Sequence, residues 1–94
     1  MPDAVAQQLL DFDRAMEEAA RRKKMHQAAF RAAFDYLEAF YPPRDDEEYW
    51  YKVSESAGNI VSKHEGNPLI VPIMLAMLDY LEDVWREKQN GTET

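Results

Sequence analysis

The chain has 94 residues, of which 46% are hydrophobic and 12% aromatic, so we expect one small folded domain rather than a disordered segment. Its net charge of -7 repels phosphate backbones and anionic membranes, which makes nucleic acid an unexpected partner. The absence of cysteine excludes disulfides, thiolate catalysis and cysteine-based metal sites, and it is typical of a reducing compartment.

The first predicted element is one long helix over about residues 3 to 41. Good helix formers dominate this segment, which contains neither Gly nor Pro. Asp3 can cap the helix start, and Pro42 and Pro43 must end it because proline lacks the N–H donor. A break near residues 21 to 25 would instead give a closed four-helix bundle. No residue there favours a turn, so the continuous helix is the leading interpretation.

The N-terminal half of this helix carries apolar residues at alternating steps of four and three. Such spacing forms a seam that faces one partner helix. A 39-residue helix would span roughly 58 Å at 1.5 Å per residue, so this half would extend beyond the shorter helices that follow. We therefore predict a homodimer through helix 1. The predicted dimer seam is Val5, Leu9, Phe12 and Met16.

The second helix is predicted over about residues 46 to 65. Its start is marked by Asp45 as the capping residue, with Glu48 three positions later, in a run of four acidic residues. Trp50, Val53 and later apolar residues recur at helical spacing until Gly66, which can adopt the left-handed conformation that ends many helices.

The third helix is predicted from residue 68 or 72 to about residue 88, followed by a disordered polar tail over residues 89 to 94. The start is ambiguous because Asn67 and Pro68 can open a helix, whereas Pro72 interrupts regular hydrogen bonding. Apolar residues nearly surround this helix, so it should be central. Short connections then predict an all-α fold, an antiparallel bundle of three helices with a long N-terminal helix.

Aromatic residues should gather with acidic ones at the end of the bundle that holds the Pro-Pro turn. Trp50 and Trp85 fit the apolar stripes of the core, so core packing explains them best. The remaining aromatic and acidic residues resemble a binding patch for a cationic partner. The predicted partner-binding residues are Asp46, Glu47, Tyr49 and Tyr51.

Only His26 and His64 could act as imidazole ligands or bases, and the hairpin should bring them near the same end. Neither the His-Glu-x-x-His nor the Glu-x-x-His spacing of helical metal sites occurs, so a surface His26 and a core-edge His64 are the simpler interpretation. We predict neither a metal nor a cofactor. The basic run Arg21 to Lys24 is flanked by acids, which favours a solvated helix face over a phosphate site.

Three small residues, Ser54, Gly58 and Ser62, recur four apart on helix 2. They either let another helix approach closely or simply form a tolerated surface, and the sequence leaves both interpretations open.

The sequence therefore predicts a non-enzymatic protein-interaction or regulatory module that self-associates in the cytoplasm. No phosphate-binding loop, nucleophile elbow or paired-carboxylate arrangement points to catalysis. Two alternatives are a helical DNA-associated regulator that uses residues 21 to 24 and a small-molecule or metal-binding bundle that uses the two histidines.

Overall fold

A computed structural model describes residues 2–91, with side chains from residue 4 onward. Over that range the chain forms three helices, α1 (Pro2–Phe40), α2 (Glu47–Lys63) and α3 (Ile70–Gly91), and no strand. The helices pack on one another as an all-α antiparallel bundle, which confirms the predicted fold class. The described part of the chain measures 75 × 28 × 15 Å, and its radius of gyration is 20.4 Å. A compact chain of this length would have a radius of about 12 Å, so the molecule is elongated.

Helix α1 is continuous through residues 21–25, so the four-helix alternative does not occur. It begins at Pro2, where a proline costs no hydrogen bond because the first N–H groups of a helix have no intrahelical acceptor. Asp3 is therefore the second residue of the helix rather than its preceding cap. At the other end the Tyr41 N–H still donates to the Leu37 carbonyl at 2.8 Å, and the two prolines then stop the helix.

Helix α2 is capped by Asp46 and not by Asp45, so the predicted cap was wrong by one residue. Asp46 has extended backbone angles (φ -141, ψ 151), and its carboxylate accepts a hydrogen bond from the Tyr49 N–H at 2.7 Å. Only the residue that immediately precedes the first helical turn can place its side chain in this way. The helix ends at Lys63, two residues earlier than predicted, and Gly66 follows with a φ of 90.

Helix α3 begins between the two predicted starts. Pro72 is its third residue, where the missing N–H breaks no helical hydrogen bond because the first turn has no intrahelical acceptors. Asn67 prepares this start, since its side-chain oxygen accepts from the Leu69 N–H at 3.1 Å and its carbonyl from the Ile70 N–H at 3.2 Å. Residues 89–91, predicted as part of a disordered tail, are helical, and residues 92–94 lie outside the described range.

The core lies where the C-terminal half of α1 meets α2 and α3. Met74, Leu81 and Val53 are its largest fully buried side chains. Tyr36 joins two helices, because its hydroxyl donates to the Val53 carbonyl at 2.9 Å. Burial, and secondly the nearby hydroxyl of Tyr49, raise the pKa of Tyr36 to about 12. The hydrophobic core cluster consists of Ala29, Ala33, Tyr36, Tyr49, Val53, Ala57, Ile70, Met74 and Leu81.

The bundle covers only part of α1. The side-chain amide of Asn67 donates to the Met25 carbonyl at 2.8 Å, and this hydrogen bond marks the point where α1 leaves the bundle. Every residue from 4 to 24 is exposed, and we call this segment the overhang. Helix α2 ends beside this point, and α3 starts there and runs back toward the Pro-Pro end, so neither helix covers the apolar side chains of the overhang.

Candidate interaction surfaces

The four residues of the predicted dimer seam all lie on the overhang and are all exposed. Phe12, for example, exposes 62% of its surface, and Val5, Leu9 and Met16 expose similar fractions. Monomeric proteins rarely leave large apolar side chains aligned in this way. The structure thus places the seam as a free apolar surface, and the dimer itself remains a prediction.

The exposed apolar surface of α1 extends beyond the predicted seam. In the sequence a second, wider apolar stripe is formed by Phe30, Ala33, Phe34, Leu37, Phe40 and Tyr41. Phe30 and Phe34 are nevertheless 62% and 55% exposed. At about 100° per residue they fall on the same face as the seam, about 110° around the helix from the buried face of α1. Projecting both stripes onto one helix would have found this continuity. We call the combined surface the apolar stripe; it comprises Val5, Leu9, Phe12, Met16, Phe30 and Phe34.

The second candidate surface is a groove between α2 and α3 at the Pro-Pro end of the bundle. It is open and has a volume of about 580 Å³. Trp50 and Trp85 line it with their rings edge to face, 6.1 Å apart at 80°. The indole Nε1 of Trp85 is buried without a hydrogen-bond partner among the described residues. We call this the acidic groove because its walls also carry Asp45, Asp46, Glu47 and Glu82, with Arg86 opposing them.

The four predicted partner-binding residues separate in the structure. Asp46 and Glu47 line the acidic groove, and Tyr51 is exposed but does not line it. Tyr49 is only 8% exposed and donates its hydroxyl to the Phe40 carbonyl, so it belongs to the core. Asp46 also caps α2, a role that the sequence predicted for Asp45. The tryptophans, assigned to the core from the sequence, supply the aromatic surface instead.

The two histidines line separate surface grooves. His26 lies beside Arg22 and Pro68, whereas His64 lies beside Lys63 and Gly66. Among the residues that the structure describes, no group of three or more His, Cys, Asp or Glu side chains is arranged to hold a metal ion. The structure therefore gives the histidine hypothesis no geometric support.

The structure also shows what surrounds the basic run, Arg21 to Lys24, and the three small residues of α2, Ser54, Gly58 and Ser62. Arg22 forms an ion pair with Glu18, with Nη2 and Oε1 2.7 Å apart, on the exposed face of the overhang. A side chain added at Gly58 would meet no atom within 4 Å, so no helix of the described chain approaches it closely. Ser54 and Gly58 instead border a shallow apolar groove shared with Leu75 of α3.

None of the helices over residues 2–91 has a stretch that is both long and apolar enough to cross a lipid bilayer. Comparison with known proteins finds no significant match to a family model, to a curated protein or to a solved structure.

Proposed function

We propose that this chain is a non-enzymatic protein-interaction module of the cytoplasm that self-associates through α1. The observation that carries this proposal is the apolar stripe, whose first four residues lie on the overhang. Its residues are large, aligned on one face and more than half exposed. A second copy offers an identical surface, which suits the self-complementary interfaces that symmetric dimers use.

The number of large exposed side chains on α1 favours self-association. Burying a large apolar side chain contributes on the order of 1.5–3 kcal/mol, and each dimer would bury the stripe twice. The spacing of Val5, Leu9, Phe12 and Met16 matches the knobs of a coiled-coil seam. Ordering the two helices costs little extra backbone entropy, because each overhang is already helical.

The acidic groove supports a second part of the proposal, in which the dimer presents a recognition surface to another protein. Trp50 and Trp85 supply aromatic faces, and Asp45, Asp46 and Glu47 supply negative charge. Cations bind favourably over indole rings, and surrounding carboxylates raise the rate of encounter with a positively charged partner. The partner expected for this surface is therefore a protein segment rich in Lys or Arg.

The mass of the protein in solution tests the central proposal. Light scattering after size exclusion should report about twice 11.0 kDa for the unmodified chain. Phe12→Glu should shift the mass toward 11.0 kDa, because it places a charge in the centre of the apolar stripe.

Leu10→Glu is the matched control for this substitution. Leu10 is also exposed, at 51%, but it lies on a different face of α1 from the stripe. Introducing the same charge there should leave the dimer intact. A monomeric wild-type protein at high micromolar concentration, or equal effects of the two variants, would overturn the proposal.

A further inference from the structure

Charges on one flank of the apolar stripe change sign along α1. At about 100° per residue, Asp13, Glu17, Lys24 and Arg31 all lie about 80° to 120° to the same side of the stripe centre. All four are exposed. The buried residues of α1 lie on the opposite side of the stripe, so this flank remains free along the whole helix. Along this flank the acidic pair Asp13 and Glu17 is followed by the basic pair Lys24 and Arg31. Asp35 comes next on the same side and forms an ion pair with Arg31, with Oδ2 and Nε 3.4 Å apart.

This order of charges distinguishes the two ways in which a pair of α1 helices can associate. A two-fold axis perpendicular to antiparallel helices brings the same flank of both copies together, with the direction of the chain reversed. Acidic residues of one copy then lie beside basic residues of the other. In a parallel pair the flank instead faces the other side of the stripe. The charged residues there include Asp11, which has the same sign as Asp13, and Arg22, which is already ion-paired with Glu18 of its own helix.

We infer that two copies of the chain associate through antiparallel α1 helices, so that the overhang of each copy covers Phe30 and Phe34 of the other. This inference rests on the proposed self-association and adds its orientation. When the apolar stripes of the two antiparallel α1 helices interlock, Phe12 of one copy lies opposite Phe30 of the other. The two-fold axis then passes near Arg21. Asp13 then lies near Arg31 of the second copy, and Glu17 near Lys24.

The antiparallel arrangement also agrees with what each half of α1 leaves exposed. The apolar stripe has large residues up to Met16 and again from Phe30, with smaller and polar residues between them. Reversing one helix sets the N-terminal group of one copy against the C-terminal group of the other. Because the stripe is about 110° away from the buried face of α1, the second helix can pack there without displacing α2 or α3.

Spin-label distances measure the orientation directly. The chain has no cysteine, so Gln8→Cys and Gln27→Cys each provide one attachment site per copy on the full-length protein. Both substitutions replace an exposed, uncharged residue and leave the charge pattern unchanged. With the axis near Arg21, the two labels at position 8 are separated along the helix by about 39 Å, and those at position 27 by about 18 Å.

The inference expects a long distance at position 8, near 40 Å, together with a short one at position 27, in a sample whose scattering mass is that of a dimer. Short distances at both positions in a dimer indicate parallel helices, which overturns the orientation and leaves self-association standing. A monomeric mass with no dipolar coupling at either position overturns both proposals. The labelled and unlabelled proteins are compared by mass, so that an effect of the label itself is recognised.

Discussion

The two halves of α1 form the same secondary structure but have opposite relations to the rest of the chain. From residue 25 onward the helix buries Ala29, Ala33 and Tyr36 against the other helices, whereas no residue of the overhang is buried. Helix length explains the difference. Helix α2 has 17 residues and covers roughly 26 Å, which matches the distance along α1 from residue 25 to its end. An apolar residue is thus exposed here because of where the neighbouring helices end.

Truncating the core should have the largest effect on stability. Leu81 is fully buried in α3, and Leu81→Ala should lower the free energy of unfolding by about 2–5 kcal/mol, through lost burial and the cavity left behind. Leu9→Ala on the overhang should change it by less than about 0.5 kcal/mol in the monomer. Denaturant unfolding at low protein concentration compares the two variants. Similar losses would mean that the overhang packs against the bundle, contrary to the structure.

A smaller loss is expected at the start of α2. Asp46→Ala should lower the free energy of unfolding by about 0.5–2 kcal/mol, because it leaves the Tyr49 N–H without its acceptor. Asp46→Asn retains an acceptor and should change the free energy of unfolding little. Asp45→Ala should also have little effect, because Asp45 is not the cap. Thermal unfolding of the three variants distinguishes them. If Asp45→Ala is the most damaging, the cap lies one residue earlier than the structure places it.

Removing the hydrogen bond between Tyr36 and Val53 should destabilise the fold less at neutral pH than losing Leu81 or the Asp46 cap. Tyr36→Phe removes the donor to the Val53 carbonyl and should lower the free energy of unfolding by about 0.5–1.5 kcal/mol. The pKa of Tyr36 is raised from 10.0 to about 12 by folding, so the folded state holds this proton more tightly. The resulting stabilisation is complete below pH 10 and is lost as the pH rises toward 12.

Unfolding curves measured at alkaline pH test whether stability falls with rising pH, as the raised pKa of Tyr36 predicts. The wild-type protein should lose stability more steeply between pH 10 and pH 12 than Tyr36→Phe does. Tyr51→Phe serves as the control because Tyr51 is 67% exposed, and its curve should follow that of the wild type. Identical slopes for wild type and Tyr36→Phe would contradict the buried position of the Tyr36 hydroxyl.

The sequence predicts the helices well because their signals are local. The absence of Gly and Pro before Pro42 fixes the continuity of α1, and the acidic run fixes the start of α2 to within one residue. Which apolar residues are buried depends on neighbours that are distant in sequence. Phe30 and Ala29 are adjacent in the chain, yet only Ala29 faces the core. Apolar spacing alone therefore placed Phe30 in the bundle, although it lies on the free surface.

The acidic groove was predicted less well than the helices, because its lining also depends on neighbours that are distant in sequence. The two predicted acidic residues, Asp46 and Glu47, lie at the Pro-Pro end as expected, and both line the groove. Among the aromatic residues, Tyr49 was wrongly placed on the surface, whereas Trp50 packs against the core as predicted and also lines the groove with Trp85. Large indole rings can pack on a core and still expose one edge. Helical spacing shows on which face of the helix a side chain lies. It does not show how much of a large ring the neighbouring helices cover.

The position of the tryptophans gives the molecule a built-in optical reporter. The chain contains two tryptophans, and both line the acidic groove, so its indole emission arises at this one surface. A Lys-rich peptide that enters the groove should quench or shift the emission, and Asp45→Asn with Glu47→Gln should weaken the response most at low salt. Assembly through α1 occurs on a different face and should leave the emission unchanged. Unlabelled protein can therefore distinguish occupancy of the groove from self-association in a single titration.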